Sequence, residues 1–279
     1  MDSKGWFIIV NPSSGGGVSK KKLSQIIQCL KLNNLWGDLN KTSPSINAES
    51  LAKKAIREGY SRIVCVGGDG TIHNLINGIL NQTDVKPEKV VVGLIPVGTG
   101  NDWARHHNIP TNYKKAIDTI GKNNITQQDV GKIKVLGDID KTIYFINYAG
   151  VGFDGYVISK IEKFKFLGAL SYLIAAITNF ISFKNIKLQL NVNSYKKTVS
   201  AFMLGAGVCK YTGGGMRLAK NPKDNDGLLD VTLAEDFSKL DVIRSIPRLF
   251  NGTLFNCLLY TSDAADDTPC VDLGGRRII

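Results

Sequence analysis

Three short stretches combine glycine with hydroxyl, amide and carboxyl side chains: NPSSGGG (Asn11–Gly17), GGDGT (Gly67–Thr71) and PVGTGND (Pro96–Asp102). Glycine lets backbone N–H groups come close to phosphate oxygens, and Ser13, Ser14, Thr71 and Thr99 add hydroxyl donors. One such turn is ordinary loop chemistry, whereas three in one domain point to phosphate binding. The second turn has neither the lysine of a P-loop nor the spacing of a dinucleotide fingerprint. Asp69, set between glycines, would repel a bare polyphosphate. It makes sense if it reaches Mg²⁺, directly or through water, or orients a donor group.

The surrounding pattern must bring these turns together. GWFIIVNP, RIVCVGG and KVVVGLIP read as apolar, β-branched strands. SKKKLSQIIQCLKLNN, AESLAKKAIREG and TIHNLINGIL read as helices with apolar residues at helical spacing. Strands buried on both faces and alternating with helices predict a doubly wound, parallel-sheet α/β domain over residues 1–126. The three turns then lie at the carboxyl edge of the sheet, where such folds bind ligands. A helix starting near Thr71 points its positive end at the same place. From about Gln127 the rhythm changes to alternating strands such as IKLQLNV and GLLDVTLAE. This predicts a mainly antiparallel β domain over 127–256, with a cleft between the two domains.

An apolar content of 43% and a charged content of 21% fit a folded globular chain rather than a disordered one. The net charge of +11 suits phosphorylated substrates or anionic lipid headgroups. The basic residues are scattered, and no recognition helix or aromatic-basic platform supports nucleic-acid binding. The cysteines Cys29, Cys65, Cys209, Cys257 and Cys270 form no CxxC pair and show no histidine spacing suggestive of zinc. Together with a strand entered at once from the N-terminus, this predicts a cytoplasmic protein. Phe166–Phe183 carries no charge but is diluted by Ser171, Thr178, Asn179 and Ser182, and reads as a buried or interfacial helix rather than a membrane span.

NPSSGGG, GGDGTIHNLINGI, GLIPVGTGNDWAR, NYAGVGFDG and GGGMRLAKNPKDNDGLLDV stand in the order and spacing of the soluble diacylglycerol kinase and sphingosine kinase superfamily. The chain resembles its bacterial lipid kinase branch over residues 6 to about 235. The resemblance implies an α/β nucleotide domain, a β-sandwich domain, and ATP between them. It sets the ATP phosphates against Asn11, Pro12, Ser13, Ser14, Gly15, Thr42, Gly67, Gly68, Asp69, Gly70, Thr71 and Thr99, with Asn101 and Asp102 shaping the adjoining loop. Asp69 is the residue on which activity is expected to depend. A structural Mg²⁺ is implied at the Asp226 side chain and the carbonyls of Lys223 and Leu228.

The implied reaction is phosphoryl transfer from ATP to a lipid hydroxyl, with diacylglycerol as the first acceptor, by a peripheral enzyme at the inner face of an anionic membrane. A homodimer is a further expectation. Two departures stand out: Asn74 occupies a position that is often Glu in the family, and the family's proton acceptor, a carboxylate in a DGE-like turn near the C-terminus, has no counterpart. That base is expected beyond residue 256, where CLLYTSDAADDTPCVDLGGRRII (257–279) resembles the translation of a sequencing adapter and is expected to pack poorly. Asp154 and Asp224 are weak substitutes. The alternatives are a small-molecule kinase of the NAD kinase type, which shares GGDGT, and an ATP-binding chain without turnover.

Overall fold

The computed structural model describes residues 4–136, 141–153, 155–156, 180, 183–192, 195–254 and 260–263. The first half alternates β1 (Trp6–Val10), α1 (Val18–Leu32), β2 (Gly37–Lys41), α2 (Ala48–Arg57), β3 (Arg62–Gly67), α3 (Asp69–Leu80) and β4 (Val91–Pro96). Two helices follow, α4 (Asp102–His106) and α5 (Tyr113–Gly121). All strand pairs in the first sheet are parallel, in the order β2-β1-β3-β4.

Alternation along β1 explains the layering. Trp6, Ile8 and Val10 pack with Ile26 and Leu30 of α1 and Ile117 of α5. Phe7 and Ile9 face Leu51, Ala52 and Ala55 of α2 and Ile72, Leu75 and Ile79 of α3. With both faces covered, the strands need apolar side chains at every position, as the unbroken FIIV and IVCV runs supply. Asn47 caps α2 by accepting from Ser50 N–H at 2.8 Å. This satisfies one of the donors that a helix start leaves open.

The second half contains β5 (Gly131–Val135) and β6 (Lys141–Phe145), paired antiparallel. A larger antiparallel sheet is built around the long β9 (Tyr195–Gly207). Its neighbours are β7 (Tyr148–Gly152), β8 (Ile186–Val192) and β10 (Asp230–Glu235). Helix α6 (Lys239–Asn251) starts with a Ser238/Asp241 capping box and ends at Gly252, whose φ is +79°. A short strand β11 (Tyr260–Asp263) continues the sheet beyond β10. Four residues of the 257–279 segment therefore have a place in the fold. A backbone ladder of that length asks for no particular side chains.

The expected apolar helix falls mostly on residues outside those described, as does Asp154. Phe180 and Phe183, at its end, pack with Phe153 and Phe202. Among the described residues no helix is long and apolar enough to cross a membrane.

The two halves are joined inside the structure by Asn77 of α3. Its amide nitrogen donates to Tyr144 O at 2.8 Å and its oxygen accepts Tyr144 N–H at 3.0 Å. Removing that side chain strands a buried N–H and a buried C=O on β6. Asn77→Ala should cost about 2–4 kcal/mol, measured as a lower urea midpoint.

Candidate active site

The site starts at the point where the winding of the parallel sheet reverses. Chain order runs from β1 outward to β2, then back across β1 to β3, so the segments leaving β1 and β3 diverge and leave a crevice at their carboxyl ends. The segments after all four parallel strands meet at this edge. Asn11 N–H donates to Val66 O at 2.9 Å and Thr42 N–H to Val10 O at 2.8 Å. Asn11 Nδ2 donates to Thr71 Oγ1 at 3.0 Å, and Ser14 Oγ lies 3.4 Å from the same hydroxyl.

Glycine is required where these segments touch. A methyl at Gly98 would lie 2.5 Å from Gly68 Cα, and one at Gly68 would lie 2.8 Å from Gly98 Cα. Gly15 has φ +62°, and a Cβ there would meet Val97 O at 2.1 Å. Asn101 adopts a left-handed conformation with φ +51°. Its side chain closes the third loop on itself, accepting from Gly98 N–H at 3.0 Å and donating to Gly98 O at 2.7 Å.

The first cleft, about 700 Å³, is lined by Asn11–Ser14, Thr42–Pro44, Asn47, Gly68, Gly70, Thr71 and Asn74. The N-cap of α3 is Gly68, which offers no side-chain cap. Thr71 N–H and Ile72 N–H bond back to Gly68 O, within the helix's own first turn. The free end of the helix dipole, the Asn11 amide and the Ser and Thr hydroxyls form a lining suited to an anion.

Asp69 belongs to the other side. Its Oδ1 accepts Trp103 N–H at 3.0 Å, and a side chain at Gly100 would meet its Oδ2 at 3.0 Å and Asp102 Oδ2 at 3.6 Å. A second cleft of about 500 Å³ opens there. Asp69, Gly70, His73, Gly100 and Asp102 form its polar side, and Ile133, Ile143, Phe145, Ile146 and Ala149 its apolar wall. Gly70 lines both clefts.

Asp102 ties the halves together. Its Oδ2 accepts Gly214 N–H at 2.7 Å and its Oδ1 accepts from Arg105. Burial raises its pKa above the usual carboxylate range, the nearby Asp69 charge adds to the rise, and those two bonds work against it. Burial likewise lowers the pKa of His73, which favours its neutral ring, against an opposing pull from Glu49.

The expected residues divide accordingly. Asn11, Pro12, Ser13, Ser14, Thr42, Gly68, Gly70 and Thr71 line the first cleft, and Asp69, Gly70 and Asp102 the second. Gly15, Gly67 and Asn101 line neither: the two glycines sit where a Cβ would clash, and the Asn101 side chain closes the third loop. Thr99 is exposed and lines neither cleft. The Lys223–Leu228 turn lies apart from both, held by Asp129, which accepts Gly227 N–H. Asp224 faces His106 and His107 rather than either cleft.

Sequence reasoning missed His73, Asn147 and the Gly213–Gly214 backbone. His73 sits one helical turn after Asp69 and so falls on the same face, a signal present in GGDGTIH. Asn147 Oδ1 is buried and has no hydrogen-bond partner among the described residues. Its residue lines the second cleft.

The contact between Gly68 and Gly98 is open to a direct check. Gly98→Ala should cost about 1–3 kcal/mol by thermal or urea unfolding. Gly70→Ala, where an added Cβ meets nothing within 4 Å, should leave stability nearly unchanged.

Residues 5–133 match the diacylglycerol kinase catalytic domain, and residues 147–257 match the YegS C-terminal NAD kinase beta sandwich-like domain. A diacylglycerol kinase of Mycobacterium tuberculosis is 29% identical over 253 residues, covering 88% of this chain and 77% of its own. One of Bacillus subtilis is 29% identical over 265 residues, covering 91% and 82%. The crystal structure of a diacylglycerol kinase from Bacillus anthracis superposes with a TM-score of 0.72 at 21% identity, covering 94% of this chain and 84% of that one, which establishes a shared fold. With one domain match on each half of the chain and these relatives across nearly all of it, the protein belongs to the diacylglycerol kinase catalytic-domain family of kinases.

Proposed function

We propose that the protein transfers the γ-phosphoryl group of ATP to a lipid hydroxyl, with diacylglycerol the first candidate and phosphatidic acid the product. The observation that carries this reading is the pair of clefts sharing Gly70, one suited to an anion and the other walled by apolar side chains, with Asp69 beside Gly70 on the second cleft's side. A phosphoryl donor in the first and a lipid headgroup in the second would meet across one residue. Little covalent chemistry is asked of the protein in such a transfer; positioning and charge stabilisation do most of the work.

In this reading Asn11–Ser14, Thr42, Gly68, Gly70 and Thr71 hold the triphosphate, and Asn101 keeps the third loop closed beside it. Asp69 faces the Mg²⁺ that accompanies ATP, which neutralises charge on the transferring group when bound. The Asp226 turn also fits a hard cation, since it offers a carboxylate and backbone carbonyls. Asp226 Oδ1 accepts Leu228 N–H at 3.0 Å, and Gly227 takes φ +80° to make the bend. Lys223 and Leu228 would supply carbonyl oxygens there.

The carboxylates lining the second cleft among the described residues are Asp69 and Asp102, and both already accept hydrogen bonds. His73 is then the base we assign to the lipid hydroxyl. Its ring is neutral near pH 7 because burial lowers its pKa, so it can accept the proton released on attack. Asn147 Oδ1 is placed to orient the same hydroxyl. The net charge of +11 and the exposed Leu240, Ile243, Ile246 and Phe250 along α6 support action at an anionic membrane surface, on its cytoplasmic side.

Labelled ATP with Mg²⁺ should give labelled lipid from diacylglycerol micelles. Label in NAD instead would overturn the acceptor assignment, and bound ATP with no transfer would favour the binding-only reading. Asp69→Asn should lower kcat by about 10²-fold or more while the chain stays folded. His73→Gln should lower kcat by about 10²–10⁴-fold with ATP affinity kept. In the parent protein activity should persist below the ordinary histidine pKa of about 6.5, because only the protonated ring is inactive as a base.

A further inference from the structure

A cluster of metal-ligating side chains lies outside both clefts, where the end of α4 meets the second half of the chain. His106, His107 and Cys209 each present one ligand atom, all within 4.8 Å of one another. Asp224 Oδ2 adjoins them, 3.3 Å from His106 Nε2 and 3.6 Å from His107 Nδ1. These residues are remote in sequence, so no motif announces them.

The hydrogen bonds around the rings fix which nitrogens are open. His106 Nδ1 accepts Lys210 N–H at 3.1 Å, so the proton of a neutral ring is on Nε2 and points to Asp224. His107 Nε2 lies 2.8 Å from Gln128 Oε1. That atom is the amide oxygen, since Trp103 Nε1–H donates to it at 2.6 Å while Gln128 Nε2 donates to Ile146 O at 2.7 Å. His107 therefore carries its proton on Nε2 when neutral and turns the Nδ1 lone pair toward Asp224 Oδ2. Two acceptors facing each other in a half-buried place are unfavourable unless a cation lies between them.

We propose that His106, His107 and Cys209 bind a zinc ion, with Asp224 Oδ2 nearest the fourth position, and that the ion clamps α4 to the second domain. Bonds of about 2.0–2.3 Å in a tetrahedral site place ligand atoms about 3.3–3.8 Å apart, close to the spacing of Asp224 from the histidines. Binding through His106 Nε2 and His107 Nδ1, the two nitrogens that face Asp224, moves the proton of the neutral His106 ring to Nδ1 and so displaces the Lys210 N–H from it. It leaves Nε2–H of His107 on Gln128, the kind of outer partner that a ligating histidine commonly keeps. Cys209 Sγ–H now donates to Ile146 O at 3.0 Å; on binding, the S–H bond breaks, an S–Zn bond forms and one proton passes to solvent. Mixed nitrogen, sulfur and oxygen donors select zinc over Mg²⁺. The site is independent of the lipid kinase reading.

The test uses the full chain, stripped with a chelator and dialysed against Zn²⁺ in excess Mg²⁺, which occupies oxygen-only sites. One zinc per chain and a higher melting temperature are expected, and Co²⁺ in its place should show sulfur-to-cobalt charge-transfer absorption. Cys209→Ser should abolish that absorption, and His107→Ala should weaken zinc binding by about tenfold or more. Cys29→Ser should change neither. Substoichiometric zinc, cobalt binding without the absorption in the parent chain, or zinc affinity unchanged in both Cys209→Ser and His107→Ala would overturn the proposal. The parent cobalt spectrum decides the matter even if a variant fails to fold.

Discussion

Gly68 and Gly98 meet backbone to backbone, closer than any Cβ would allow, and the geometry of the site follows from that contact. It draws the segment after β4 against the segment after β3 at the crevice where the sheet reverses its winding. Asn101 can then close the third loop, and α4 starts beside Asp69, whose carboxylate accepts a first-turn N–H of that helix, at Trp103. A larger side chain at either glycine would separate the N-terminal end of α3 from the residues that join it to the second half of the chain.

Asp102 is the electrostatic counterpart of that contact. A buried carboxylate beside a second one is costly, and the cost is offset by Gly214 N–H from the other half of the chain and by Arg105 from its own helix. The position of the second domain over the site is thus tied to a charge that needs its partner. Gly214 can serve because its φ of +88° turns its N–H inward in a run of three left-handed glycines.

Much of this arrangement was legible in the residues. Continuous apolar runs gave away a sheet covered on both faces, and three Gly-rich turns at strand ends placed the crevice. The partition into two clefts was not legible, because it depends on which way Asp69 points, and that is decided by Trp103, more than thirty residues away. Thr99, whose type and neighbours suit phosphate, is exposed and lines neither cleft. Asn77 and Asn147 read as ordinary polar residues until tertiary contact reveals one bonding to a foreign strand and the other with a buried Oδ1 that has no partner among the described residues. His106 and His107 had no recognisable spacing to Cys209, since the three are assembled by domain packing alone.

The bond from Asn77 to Tyr144 has a mechanical consequence. Through it, β6 is tied to α3, so the apolar wall of Ile143 and Phe145 is coupled to the helix whose start lies beneath the first cleft. The stretch near residue 126 where the sequence pattern changes is therefore not the hinge. Any opening of the second cleft must swing the β7–β9–β10 sheet and its Gly213–Gly214 loop away from a floor and wall that stay tied to each other, which admits a bulky guest from one side without disturbing the grip on the other.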